Sequence, residues 1–129
     1  MTKENKQLLL VDLSARFPYN VAVDCRDEVS RFTCYLTSDM LREIQNNTSY
    51  WEYKPYLFPM SSMTDKQKEE YHYIVNYIST DDTENWVEGE FVYVNRIEQL
   101  LHFYHTNHLD WRGLIPMGLA IDATGLNIY

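Results

Sequence analysis

The sequence predicts an α+β fold, because helical and strand periodicities occupy different parts of the chain. Apolar residues recur at helical spacing in residues 3–17, 64–79 and 95–107, whereas short segments between 20 and 58 alternate as strands do. A chain of 129 residues with 45% apolar residues is long enough for a hydrophobic core. We therefore predict one domain, 1–129, with an N-terminal helix, a small antiparallel β-meander, two further helices and a packed C-terminal tail.

The first helix is predicted from a clear apolar stripe in residues 3–17. Leu9, Leu13 and Phe17 repeat at intervals of four residues, which places them on one side of a helix. Pro18 ends the helix, because a proline disfavours helical backbone at the residue before it.

Two strands follow, and each carries a cysteine. The segments VAVDC (21–25) and RFTCYL (31–36) alternate, with Phe32 and Cys34 on the buried face of the second. The polar RDEVS between them is typical of a turn, and a hairpin centred there places Cys25 opposite Cys34. We interpret the two as buried structural thiols, with a disulfide or redox pair as the alternative.

The next segment is ambiguous between helix and strand. Ser38 is a possible helix cap, but MLREIQ (40–45) also fits a strand, and the pair Asn46-Asn47 is typical of a turn. The following YWEYKPYLFP (50–59) contains two prolines, which exclude a helix and restrict it to an edge or exit strand.

The second and third helices each begin with the spacing of a capping box. Thr64 precedes Gln67 by three residues, and Asn95 precedes Glu98 by three. Between the helices, STDDTENWVEGE holds five acidic residues and no basic one. It lacks the residue order of a calcium loop, so we interpret it as a solvated loop. The apolar tail from 109 to 129 is expected to pack onto the body.

The segment HFYHTNH contains three of the four histidines. On a helix, Glu98, His102 and His105 lie together on the flank of the apolar stripe, and His108 points elsewhere. Two histidines and a carboxylate suit zinc or iron, although one helix seldom forms a complete site. We interpret the cluster as a polar helix edge with a Glu98–His102 pair, and keep metal binding or metal-dependent catalysis as the alternative.

The charge pattern narrows the classes of partner. The formal net charge is −8, and the 11 basic residues form no stripe, so direct nucleic-acid binding and adhesion to anionic membranes are not expected. An acidic surface could instead imitate DNA towards a DNA-binding protein. There is no membrane-length apolar run and no signal-peptide pattern, and two cysteines fit reduced thiols, so we expect a cytoplasmic protein.

The sequence favours binding over catalysis. Nucleophile-elbow, phosphate-loop, dinucleotide and C-x-x-C motifs are absent, so we expect no cofactor and favour a protein without enzymatic activity. Aromatic residues and arginine anchor many protein interfaces. The candidate partner-binding residues lie in the aromatic run and in DWRG (110–113): Tyr50, Trp51, Tyr53, Tyr56, Asp110, Trp111 and Arg112. The alternative for DWRG is a structural turn with an Asp110–Arg112 pair, an inward Trp111 and a positive φ at Gly113.

Three segments resemble a family of short, uncharacterised proteins of gut Bacteroidales and their phages or prophages. They are KQLLLVDLSARFPY (6–19), KPYLFPMSSMT (54–64) and the ending DWRGLIPMGLA (110–120). The resemblance implies a phage or mobile-element setting, but no activity. It also favours a strand for residues 40–45 and allows a partial barrel of the SH3 type. We therefore expect an accessory protein that acts by protein–protein interaction.

Overall fold

The computed structural model describes residues 1–79 and 97–129, and it confirms the α+β class. The helices are α1 (Lys3–Arg16), α2 (Ser38–Asn46), α3 (Asp65–Ser79) and α4, which covers 97–106 in the described part. The strands are β1 (Ala22–Arg26), β2 (Arg31–Tyr35), β3 (Glu52–Leu57) and β4 (Ile121–Asp122).

The four strands form one sheet in the order β2-β1-β3-β4. β1 pairs antiparallel with both β2 and β3, and the short β4 adds parallel to β3. In a simple meander β3 would pair with β2. Here β3 pairs instead with β1, on the side of β1 opposite to β2. One face of the sheet packs against α1 and α2, and the C-terminal tail covers part of the other. As a result β1 is central and buried, whereas β2 lies at one edge.

The β1–β2 hairpin closes two residues away from the register expected from the sequence. Asp27 N donates to Ser30 O at 3.0 Å, so the turn is Asp27–Ser30. Cys25 therefore pairs with Phe32, and Cys34 pairs with Val23, so the expected direct opposition of the two cysteines is wrong. Directly opposed residues share a face, and the two thiols consequently still lie on the same face as diagonal neighbours.

Residues 40–45 are helical, so the preference for a strand is wrong. The Thr37 hydroxyl caps α2 by accepting from Met40 N at 3.3 Å. Ile44 is buried, and Met40 and Leu41 pack against the same core. A strand would place Met40 and Leu41 on opposite faces, whereas a helix brings both beside Ile44. Asn47 then ends the helix in the left-handed region, with φ 54°.

The capping box predicted for the second helix is confirmed. Gln67 N donates to the Thr64 hydroxyl at 3.2 Å, and Thr64 N donates to Gln67 Oε1 at 2.9 Å. The helix α3 starts directly after the cap residue Thr64 and packs with α4 in a second apolar cluster that includes Ile74 and Phe103. The acidic segment at 80–90 and the predicted cap at Asn95 lie outside the described residues.

The C-terminal tail packs onto the sheet, as predicted. Ala123 is buried with Ala22 and Tyr56. The last residue, Tyr129, accepts a hydrogen bond from Ala22 N at 2.9 Å and donates one to Tyr56 O at 2.7 Å. Its ring stacks on His108, with 3.6 Å between the ring centroids. The tail thus joins the end of α4 to the sheet.

Among the described residues, none of the helices combines the length and the apolar character needed to cross a membrane.

Candidate interaction surface at the hairpin edge

The histidine cluster divides between the surface and the interior. His102 is exposed, and its Nδ1 lies 3.0 Å from the Tyr19 hydroxyl. His105 is buried, and its Nε2 accepts a hydrogen bond from Trp111 Nε1 at 3.3 Å. Burial, helped by the positive charges of Arg16 and Arg112, lowers the pKa of His105 to about 4. His105 is therefore a neutral interior ring at physiological pH.

The metal-site alternative requires Glu98, His102 and His105 to converge. Within residues 1–79 and 97–129, no group of three or more potential ligand side chains is placed to hold a metal ion. His108 lies beyond α4 in the left-handed region, with φ 53°, and stacks on the C-terminal tyrosine. The structure therefore offers no observation that favours a metal centre over the packing roles of these histidines.

The DWRG segment forms a partly buried turn. Both carboxylate oxygens of Asp110 accept backbone hydrogen bonds, from Leu114 N at 2.7 Å and from Ile115 N at 2.9 Å. Gly113 has a φ of 80°, as a turn at this position requires. Trp111 is half-buried. Asp110 is thus a structural cap, and its expected pairing with Arg112 is not what the described residues show.

The guanidinium group of Arg112 instead completes a buried ion network. Arg112 Nε donates to Asp12 Oδ1 at 3.1 Å, and Arg16 Nε donates to Asp12 Oδ2 at 2.8 Å. Arg16 also donates to the Leu109 carbonyl at 2.7 Å. The side chains of Asp12 and Arg16 are both 0% exposed. Arg112 lies over the Trp111 ring, 4.1 Å from its centroid. These contacts tie α1 to the segment after α4.

The signal for this network was present in the sequence. Asp12 and Arg16 are four residues apart, which brings their side chains together on a helix. They also fall beside Leu9 and Leu13 on the side that is buried. Phe17, by contrast, is 41% exposed and does not continue the apolar stripe. A charged pair on an apolar helix face predicts a buried partner elsewhere in the chain.

The aromatic run is mostly interior, because β3 lies inside the sheet. Tyr53 is buried and donates to Glu43 Oε2 at 2.6 Å, while Tyr56 is buried and donates to Asp24 Oδ1 at 3.3 Å. Burial and the neighbouring Glu43 carboxylate raise the pKa of Tyr53 to about 12. Of the predicted partner-binding residues in this run, Tyr50 is 78% exposed and Trp51 is half-buried.

The edge of the sheet is β2. Among the described residues, no strand pairs with its outer side. Leu36 N donates to Val21 O, and this bond shows which residues of the hairpin form hydrogen bonds between the two strands. In an antiparallel pair, alternate residues of a strand point their backbone groups at the partner. The amides of residues 32 and 34 therefore face β1, and those of 31, 33 and 35 face outward.

Large apolar side chains line this edge. Val29 is 92% exposed at the turn, Tyr35 is 60% exposed and Phe32 is 45% exposed. Phe32 was expected to be buried, but in the described part of the chain β2 has no outer neighbour to cover its ring. Its ring centroid lies 4.9 Å from that of Trp51, edge to face, and Tyr50 packs edge-on against Trp51 at 5.6 Å. We call Val29, Phe32, Tyr35, Tyr50 and Trp51 the hairpin-edge surface.

An acidic cleft adjoins the hairpin-edge surface. It has a volume of about 500 Å³ and lies between the hairpin turn and the start of β3. Three carboxylates line it, those of Asp27, Glu28 and Glu52. The arginine that lines it, Arg26, lies 3.5 Å from the buried carboxylate of Asp24. The Asp27 carboxylate also accepts a hydrogen bond from Val29 N at 2.8 Å, which holds the turn. The cleft therefore carries an excess of negative charge.

No family model, curated protein or solved structure matches this chain.

Proposed function

We propose that this protein is a non-enzymatic adaptor that binds an extended segment of another protein along the outer edge of β2. The observation that supports this proposal most strongly is an edge strand that pairs with no outer strand within residues 1–79 and 97–129, beside a cluster of exposed apolar side chains. Strand addition of this kind uses backbone hydrogen bonds for affinity and side-chain pockets for specificity.

The edge of β2 carries little of the protection that proteins usually give to an exposed strand. In natural proteins, charged side chains, prolines or β-bulges usually keep an exposed edge strand from pairing with another chain. The one charged side chain on β2 is Arg31, and it is held by Asp24 through a 2.6 Å contact. The outward amides and carbonyls of residues 31, 33 and 35 are thus available to an incoming strand in the structure as described. An adaptor role explains why such an edge is retained.

The chemistry of the surface specifies the partner segment. An apolar side chain of the segment would contact Val29 and Tyr50, because these are the most exposed large apolar residues of the hairpin-edge surface. A lysine or arginine near it would face Glu28 and Glu52 in the acidic cleft. The net charge of −8 would also accelerate the approach of a basic segment. We therefore expect an extended, basic and partly apolar segment.

The cellular setting is part of the proposal and depends on the resemblance in three sequence segments. The resemblance implies a phage or mobile-element setting, in which proteins of the bacterial host are the first candidates for a partner. The partner is accordingly sought among host proteins, and the proposed location of the complex is the cytoplasm.

A matched pair of variants at Thr33 tests the proposal. Thr33→Pro removes an outward-facing amide, and proline is tolerated where the N–H of an edge strand faces solvent. Thr33→Val keeps that amide and the strand preference of the residue. Both variants and the wild type are tagged, incubated with host-cell lysate at moderate salt, and their bound proteins are identified by mass spectrometry. We expect a stoichiometric partner that binds the wild type and Thr33→Val but not Thr33→Pro.

Three outcomes would count against strand addition. Equal capture by Thr33→Pro, with its fold verified by circular dichroism, would exclude the outer edge of β2. Recovery of no partner by the wild type would remove the support for an adaptor role. Displacement of the partner by duplex DNA, with no effect of Thr33→Pro, would favour the acidic DNA-mimic hypothesis instead.

A further inference from the structure

The two cysteines form a pair whose geometry the adaptor role does not require. Cys25 lies in the central strand β1 and is 0% exposed, whereas Cys34 lies in the edge strand β2 and is half-buried. The sulfur atoms are 2.9 Å apart. This separation is much shorter than the spacing of two unrelated side chains, and about 0.9 Å longer than a disulfide bond.

The strand register explains why the sulfurs meet. Cys25 pairs with Phe32, which is two residues before Cys34, so the cysteines are diagonal neighbours on one face. The twist of paired strands brings one of the two diagonals closer together. Both thiols also face the same apolar core, which includes Val23 and Tyr53. The fold therefore selects this pair without help from a flexible loop.

We propose that Cys25 and Cys34 are a thiol–disulfide exchange site that reacts with a low-molecular-weight disulfide such as oxidised glutathione. In the first step the half-buried Cys34, as thiolate, attacks one sulfur of the reagent. One glutathione thiolate leaves and takes up a proton. In the second step the Cys25 sulfur attacks the Cys34 sulfur of the mixed disulfide. The second glutathione thiolate leaves and takes the Cys25 proton, so one reagent disulfide becomes two thiols and one protein disulfide.

The environments of the two thiols divide the roles between them. Burial and the neighbouring Cys34 thiol raise the pKa of Cys25 to about 12, so Cys25 remains a thiol at neutral pH. A reagent from solvent meets Cys34 first, because Cys34 is the partly exposed member of the pair. Cys25 then acts as the resolving thiol at short range. The product would link the edge strand β2 covalently to the central strand β1.

Non-reducing peptide mapping of the wild-type chain tests the site directly. Trypsin cleaves after Arg16, Arg26, Arg31 and Arg42, so the two cysteines fall in separate peptides, 17–26 and 32–42. The reduced, folded protein is incubated with oxidised glutathione. We expect an intact mass lower by two hydrogen atoms and a disulfide-linked pair of these two peptides. A stable mixed disulfide, a cross-linked dimer or no reaction would each overturn the proposal.

Two single variants separate the two steps. Cys25→Ser should stop at a mixed disulfide on Cys34, because the resolving thiol is missing. Cys34→Ser should remain unmodified while folded, because Cys25 is buried. Equal modification of both variants would contradict the assigned order of attack. None of these results depends on a protein partner, so the proposal can fail while the adaptor role stands, and the reverse is also true.

Discussion

The DWRG turn and the hairpin-edge surface have similar side chains but opposite environments. Each combines a tryptophan with other aromatic or charged groups, and the sequence marks the DWRG residues and, at the hairpin edge, Tyr50 and Trp51 as interface candidates. In the DWRG turn, Arg112 is drawn inward by the buried carboxylate of Asp12 at 3.1 Å. At the hairpin edge, Tyr50 is 78% exposed, and no buried charge of the described residues draws it inward. A cluster of aromatic residues and arginine therefore identifies an interface only when the arginine is not needed as the partner of a buried carboxylate.

The difference between the two regions arises from sheet position. The DWRG turn follows α4 and is covered by α1, whose Arg16 donates to the Leu109 carbonyl. The hairpin-edge surface lies beside β2, the last strand on its side of the described sheet. Buried charged groups need hydrogen-bond partners within the protein. The outward backbone groups of an edge strand can instead form hydrogen bonds with solvent or with another chain.

The largest expected effect is on the interior network. Arg16→Met leaves the fully buried Asp12 with Arg112 as its remaining cationic partner, so we expect unfolding to become easier by about 3–5 kcal/mol. Urea denaturation followed by circular dichroism measures this change. The matched control is Asp12→Leu combined with Arg16→Met, which should recover part of the loss: positions 12 and 16 then carry no buried charge, and Arg112, which loses Asp12, has a side chain that is 21% exposed. A single variant that costs well under 1 kcal/mol would contradict the structural role of the pair.

A second expected effect is pH-dependent stability from the buried histidines. Burial, helped by the positive charge of Arg16, lowers the pKa of both His105 and His108 to about 4. The unfolded value is about 6.5. Because the folded pKa lies below the unfolded one, this stability is complete above about pH 6.5 and is lost as the pH falls towards 4. Each ring should contribute up to about 1.4 kcal/mol per pH unit in that window.

Urea titrations between pH 5 and 7 measure this effect, since most carboxylates have finished titrating there. His105→Gln keeps an acceptor for Trp111 Nε1 but does not titrate, so it should reduce the pH slope by about half. A slope unchanged by this substitution would show that His105 takes up its proton as readily in the folded protein as in the unfolded one, and that its pKa is not lowered by folding.

A smaller expected effect comes from Arg112 itself. Arg112→Gln removes the charged hydrogen bond to Asp12 and the contact with the Trp111 ring, and we expect a loss of about 1–2 kcal/mol of stability. Partner binding should be unchanged once the protein is folded. A loss of binding without a loss of stability would place DWRG at the interface after all.

The smallest expected effect on stability is at Tyr50, where the expected effect on binding is large. Tyr50→Ala should change the free energy of unfolding by no more than about 0.5 kcal/mol, because the side chain is largely exposed. The same change should weaken the affinity for the captured partner about tenfold or more if Tyr50 anchors the interface. Isothermal titration with the identified partner measures this, and Val11→Ala, a change of a 43% exposed residue on α1, is the matched control.

The sequence was sufficient for local signals and insufficient for pairing between distant segments. The capping box at Thr64 and Gln67 depends on residues three positions apart, and it was predicted correctly. The pairing of Arg112 with Asp12 joins residues 100 positions apart, and no local pattern reveals it. Helical spacing could have shown that Asp12 and Arg16 lie on the buried side, but their partner could not be found without the fold.

The candidate site was only partly predictable for the same reason. Tyr50 and Trp51 were identified from composition, but the burial of Tyr53 and Tyr56 follows from the strand order, which puts β3 inside the sheet. Val29, Phe32 and Tyr35 were missed, because an alternating strand does not reveal whether it lies at an edge. The two-residue shift in the hairpin register had no signal in the polar turn.

Amide hydrogen exchange of the isolated protein tests the open edge of β2 most directly. Residue-resolved exchange by NMR distinguishes amides that face β1 from those that face outward. We predict slow exchange at Phe32, Cys34 and Leu36, and fast exchange at Arg31, Thr33 and Tyr35. This alternation would show that the outer edge is open to a partner strand. Slow exchange at all six amides would mean that the edge is already covered, and would contradict the proposed mode of binding.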